Sequence, residues 1–154
     1  MTDLSNSPIG KSLQRREDVR FLTGAGQYTD DVLLPGQTHG VFLRSPYAHA
    51  RIKSIDVNAA KAAPGVIAIF TGADLAEAKV GGLPCGWLIH SKDGAPMNEP
   101  AHPLLAQGKV RHVGDQVALV VAETAWQAKD AAELIEVDYD ELPPVIDISG
   151  ADSA

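Results

Sequence analysis

The 154-residue chain has a single cysteine, Cys85, and few aromatics, only 5% of its residues. A lone cysteine excludes an internal disulfide framework and any iron–sulfur or other site built from several cysteines. It also fits a reducing compartment. The shortage of aromatics leaves the core to Ala, Val, Leu and Ile. No apolar run approaches the ~18–20 residues of a membrane helix. The basic residues near the N-terminus (Lys11, Arg15, Arg16) have no apolar stretch behind them, so that segment does not read as a secretory signal. A soluble, cytoplasmic domain is expected. Positive charge is scarce too: 13 Lys and Arg stand against 20 Asp and Glu, a net charge of −7. A phosphate-backbone binder normally carries a basic face, so this balance argues against nucleic acid as a partner.

What is present has the balance of a globular domain, 45% hydrophobic and 21% charged. The length is one domain's worth, enough to hide about two-thirds of the unfolded surface. Acid gathers at the end: Asp130, Glu133, Glu136, Asp138, Asp140, Glu141, Asp147 and Asp152 follow one another with no Lys or Arg between them. A solvated face is the simplest reading.

Along the chain, residues 1–38 are polar and punctuated by Gly24, Gly26, Pro35 and Gly36, an extended arm in which only Val32 to Leu34 look ready to pack. Residues 39–148 form the body, and 149–154 a tail or linker. Gly40 to Leu43 and Ala50 to Val57 read as strands. Asn58 to Ala63 reads as a short helix stopped by Pro64-Gly65. Val66 to Phe70 (VIAIF) and Val117 to Ala122 (VALVVA) are continuous apolar runs, the pattern of strands covered on both faces. Between them, Thr71 to Asp74 looks like a helix entry, and residues 80–108 are rich in Gly and Pro without periodicity, a functional loop or a clamp on a partner. Thr124 with Gln127 three residues on predicts a capping box opening a helix that runs to about Leu134. Ile135, Val137 and Tyr139 then alternate with Glu136, Asp138 and Asp140, a half-buried strand. If that strand pairs in parallel with the one before the helix, the crossover should be right-handed.

Candidates for chemistry are weak. Gly24-Ala25-Gly26 is half of a dinucleotide fingerprint, lacking its third glycine and its strand and helix, so turn glycines are favoured. His39, His49, His90, His102 and His112 show no spacing that brings two imidazoles to one metal on a strand or helix. His49 and His112 read as hydrogen-bonded structural side chains. Asp138, Asp140 and Glu141 lack the glycine and distal Glu of a calcium loop. Asp30 and Asp31 point to opposite sides of an extended segment. Ser45 and Cys85 have no identifiable base. No catalytic, cofactor-binding or metal-ligating residue is therefore assigned to this chain.

Five ordered blocks carry a resemblance. They are Arg16-Glu17-Asp18-Val19-Arg20-Phe21-Leu22-Thr23-Gly24 with Gly26 to Asp31; Arg44 to Ile52; Pro64 to Leu75; Lys109 to Asp115; and Val137 to Val145. Together they resemble the start of the molybdenum-binding large subunit of the xanthine dehydrogenase and aldehyde oxidase superfamily, most nearly the carbon-monoxide-dehydrogenase-type bacterial large subunits. The resemblance implies an α+β fold, the α/β hammerhead, a mixed sheet with helices packed on it. Gln116 stands where the family usually has Pro, and it restores a backbone donor just before a strand. The family places its molybdenum–pterin cofactor and catalytic Glu in domains downstream of the hammerhead, and iron–sulfur clusters and FAD on partner subunits. The whole complex would oxidise or hydroxylate a small aldehyde, a heterocycle or carbon monoxide. This chain alone is expected to be inactive. Its expected partners are those cofactor domains and, through the arm or residues 80–108, the companion subunits; neither nucleic acid nor membrane is expected. Two other readings are a stand-alone binding module with the same fold and a small enzyme using His49, His112 and Asp115. The last requires those three side chains to converge in a cleft.

Overall fold

A computed structural model describes residues 8–151 of the chain. Met1–Ser7, read above for a secretory signal, and Asp152 of the acidic stretch lie outside the described residues. The chain divides after Gln37 into two compact units.

The first unit is less irregular than its sequence suggests. Helix α1 (Asp18–Leu22) is followed by a 3-10 turn at Thr29–Asp31. Gly24 takes φ +73°, and the N–H groups of Gly24 and Ala25 close back on the carbonyls of Phe21 and Arg20. A left-handed residue just past a helix end is where glycine costs least. Phe21 and Tyr28 stack with centroids 5.3 Å apart. Val32, Leu33 and Leu34, expected to pack, are all exposed.

The second unit carries two three-stranded sheets, where one mixed sheet was expected, and every pairing is antiparallel. The first sheet has the order β1 (His39–Arg44), β5 (Gln116–Ala122), β3 (Val66–Thr71). The second has the order β4 (Lys109–Val110), β2 (Ala50–Asp56), β6 (Glu136–Glu141). The fold is α+β, yet no parallel crossover forms, because β5 and β6, either side of helix α4 (Ala125–Glu133), belong to different sheets. The sequence places a strand on each side of that helix but holds no local signal for which neighbour each strand joins.

Of the two apolar runs, only β5 is central to its sheet, and it is buried at alternate and consecutive positions alike. β3 is an edge strand whose Ile67 and Phe70 are exposed, so one of its two expected covers is missing. Helix α4 covers one face of the first sheet with Ala128, Ala131 and Ala132, side chains small enough for close approach. They meet Ala118, Val120 and Ala122 of β5, Ile69 of β3, and Ala60 of helix α2 (Asn58–Lys61). A smaller cluster of Ala50, Ala106, Val110 and Val117 packs against the second sheet, with Ile55 and Val137 touching both clusters.

The helix entries follow their caps with one change. The Thr124 hydroxyl accepts from the Gln127 N–H at 3.2 Å, as expected. The Gln127 amide oxygen, however, accepts from the Thr124 hydroxyl at 2.8 Å instead of from the backbone, so half of the capping box is formed. That amide occupies the space a Cβ on Gly65 would need, and Gly65 sits at φ +75°. At helix α3 (Gly72–Glu77) the Asp74 carboxylate accepts from both the N–H and the hydroxyl of Thr71, each at 2.6 Å. These bonds, the hydroxyl's first, hold the Asp74 carboxyl below the usual carboxylate range.

Candidate docking face

The period of two along the first sheet sorts its side chains sharply. Val41 and Leu43 of β1, Ile69 of β3, and Ala118, Val120 and Ala122 of β5 point to α4. On the opposite face, Phe42, Leu119 and Phe70 stand in register across all three strands. Phe42 is 41% and Phe70 40% exposed, with Leu119 half-buried between them. Leu75 of α3, with Leu104 and Leu105, completes an open groove of about 340 Å³ whose walls are almost wholly apolar. Three large apolar side chains aligned on an uncovered sheet face are an interaction surface by the usual physical reading.

Residues 80–108 hold a second apolar element, and they are not a shapeless loop. From base to tip, Leu83 N–H donates to His102 O (2.8 Å), Met97 N–H to Ile89 O (3.0 Å) and Ser91 N–H to Ala95 O (2.9 Å). Gly82 lies so close to the His102 carbonyl that a Cβ would collide with it. At the tip, Asp93 accepts from the Ser91 hydroxyl and the Ala95 N–H, and Gly94 turns the chain at φ +83°. The result is a narrow ribbon on which Leu83, Leu88, Ile89 and Met97 are exposed, Trp87 to 79%. Sequence reasoning missed it, although Asp93-Gly94 is a strong hairpin signal.

The singled-out chemical groups fall as follows. Ser45 is buried, its hydroxyl engaged with the N–H and carbonyl of Tyr47, both at 3.0 Å. Its backbone is tied to Asp115 and Gly114. Tyr139 packs on Tyr47 at 5.0 Å; burial pushes its phenol up, Ser45 opposes this, and Tyr47 and Asp115 add to it. Cys85 is exposed, its thiol donating to Trp87 O. Gly24 closes a helix where a phosphate loop would open one. Asp31 accepts from the Tyr28 N–H at 2.8 Å. Asp138, Asp140 and Glu141 line exposed edge strand β6, with Arg51 opposite Asp140. His49 Nδ1 meets Pro143 O at 2.9 Å, and His112 Nδ1 lies 3.9 Å from Asp115. His49 and His112 share one groove, while Asp115 opens with His112 into adjoining hollows without His49. The three side chains proposed for a small enzyme are therefore not brought into one cleft. Among the described residues, no three His, Cys, Asp or Glu side chains gather to hold a metal ion. None of the described helices is long and apolar enough to cross a membrane.

Two small antiparallel sheets with a helix on one of them define a hammerhead-class domain. The pattern of the aldehyde oxidase and xanthine dehydrogenase α/β hammerhead domain matches residues 23–143, and the chain belongs to that family. It is 44% identical over 139 residues to the carbon monoxide dehydrogenase large chain of Afipia carboxidovorans, covering 90% of this chain and 16% of the relative. It is 34% identical over 131 residues to the xanthine dehydrogenase molybdenum-binding subunit of Escherichia coli O157:H7, covering 85% and 17%. Among solved structures it is similar to quinoline 2-oxidoreductase from Pseudomonas putida 86, with a TM-score of 0.75 and 48% identity over 92% of this chain and 17% of that one. The chain thus spans about a sixth of the length of the relatives it matches.

Proposed function

We propose that this chain is the hammerhead domain of a molybdenum hydroxylase large subunit and serves it structurally, by seating the open face of its first sheet against the rest of that subunit. The single observation that carries the reading is the uncovered Phe42–Leu119–Phe70 row, on a domain whose relatives continue for about five times its length. Burying those three side chains would contribute several kcal/mol, at ~25 cal/mol per Å² of apolar surface.

We assign the molybdenum–pterin cofactor, and the catalytic Glu of the family, to domains beyond the hammerhead. Iron–sulfur clusters and FAD belong, in this reading, to companion subunits of a cytoplasmic complex. The complex would oxidise or hydroxylate a small aldehyde, a heterocycle or carbon monoxide; the relatives' names differ in this respect, and the residues choosing among these substrates are not assigned to this chain. The Trp87 ribbon is the second contact, an ordered arm whose shape is set before it meets its partner.

Native mass spectrometry of the protein purified from its own source, with metal analysis on the same sample, tests the reading. Molybdenum accompanied by the mass of further hydroxylase domains or chains is expected. A lone, metal-free species of 16.2 kDa would contradict it.

A further inference from the structure

A groove of about 430 Å³ runs between the end of β4 and the segment after β6. His49, Lys109, Arg111 and His112 line it, together with the apolar Val145 and Ile146. In a chain of net charge −7, this is an unusual concentration of cationic and titratable groups. Among the described residues, neither Lys109 nor Arg111 forms an ion pair. The Arg111 guanidinium reaches only the Lys109 carbonyl, at 3.4 Å. Of the nearby carboxylates, Asp115 accepts the backbone N–H of Arg111 at 3.0 Å and faces His112, and Asp147, next to Ile146 in the chain, accepts from the Ser149 N–H. The arginine fork, suited to bidentate carboxylates, is therefore left open to solvent. His49 holds Pro143 O through Nδ1, which leaves Nε2 as the nitrogen available to a ligand.

From this arrangement we propose that the groove binds an acidic peptide segment, with carboxylates on Lys109 and Arg111 and apolar side chains on Val145 and Ile146. A small inorganic anion would use only the cations, in open solvent where exposed charge pairs gain little. Ile146, 89% exposed beside those cations, provides contact that only a ligand with both acidic and apolar side chains can use. The proposal is independent of the hydroxylase reading, because it rests on a different surface.

The test uses the 154-residue chain and a capped peptide of alternating glutamate and leucine, with an alternating lysine–leucine peptide and inorganic phosphate as controls. Titration by NMR should move the signals of His49, Arg111 and His112 with the acidic peptide alone. Affinity should fall as salt is raised from about 50 to about 200 mM. The double substitution Lys109→Gln/Arg111→Gln should weaken binding at least tenfold, with the β5 amide signals unchanged as the check on folding. Ile146→Ser, at an exposed position that leaves the fold intact, should weaken it about threefold. Equal binding of the lysine–leucine peptide, phosphate binding as tightly as the acidic peptide, or unchanged binding by the double variant would each overturn the proposal.

Discussion

The two faces of the first sheet are built from opposite materials. Toward α4 the residues are mostly small and fully covered, Ala118, Val120 and Ala122 meeting three alanines of the helix. Toward the other side the row Phe42–Leu119–Phe70 is large and apolar, with the two phenylalanines exposed and Leu119 half-buried between them. Small side chains let a helix close on a sheet and leave nothing to spare; large ones left exposed leave apolar surface free for an interaction. One face therefore holds this domain together, and the other is available to hold the domain to something else.

Substitutions on adjacent residues of β5 break the comparison most sharply. Val120→Ala on the covered face should cost about 2–3 kcal/mol, the lost methyls plus the cavity they leave. Leu119→Ala, its neighbour on the open face, should cost under about 1 kcal/mol in the isolated chain. Paired urea titrations with equal slopes measure both, and equal losses would mean that the open face is packed after all. Next in size is Gly72→Ala at the start of α3. A Cβ there collides with the Ala106 carbonyl oxygen, which is backbone and cannot swing away, so a loss of about 2 kcal/mol is expected by thermal unfolding.

A combined Phe42→Ser, Leu119→Ser and Phe70→Ser variant sharpens the comparison from the other side. The isolated wild-type chain should self-associate through exposed apolar surface at high concentration, and the variant should sediment as a monomer. A monodisperse wild-type monomer would contradict this. The smallest effect is the cap of α3. Because the folded Asp74 carboxyl titrates below its ordinary value, its stabilisation is complete above that value and is lost as pH falls through the folded one. Asp74→Asn should thus lower stability by under about 1 kcal/mol at neutral pH, since the site is exposed. The gap to wild type should narrow only as pH falls below the ordinary carboxylate range, through the lowered folded value. A gap that persists there would assign the effect to something other than charge.

Strands, helices and caps were legible where the pattern is local. VALVVA, the alternation around Val137 and Tyr139, and the Thr124–Gln127 spacing each map to an element within a residue or two. The division into two sheets was not legible, because a run such as VIAIF reads the same at a sheet centre and at an edge with one open face. For the same reason the candidate face was invisible: Phe42, Leu119 and Phe70 lie far apart in sequence and meet only through strand register. The ribbon over 80–108 escaped because main-chain bonds and turn residues hold it, and neither leaves a hydrophobic period.

The lone cysteine allows the central claim to be tested directly. In a Cys85→Ser background, Leu119→Cys places a single thiol in the middle of the open face. Maleimide labelling is then compared between the isolated chain and the same chain assembled in the complex purified from its source. Rapid labelling in isolation and strong protection in the assembly is the predicted result. Labelling at the same rate in both would show that the open face stays in solvent, and that the domain is held by another surface.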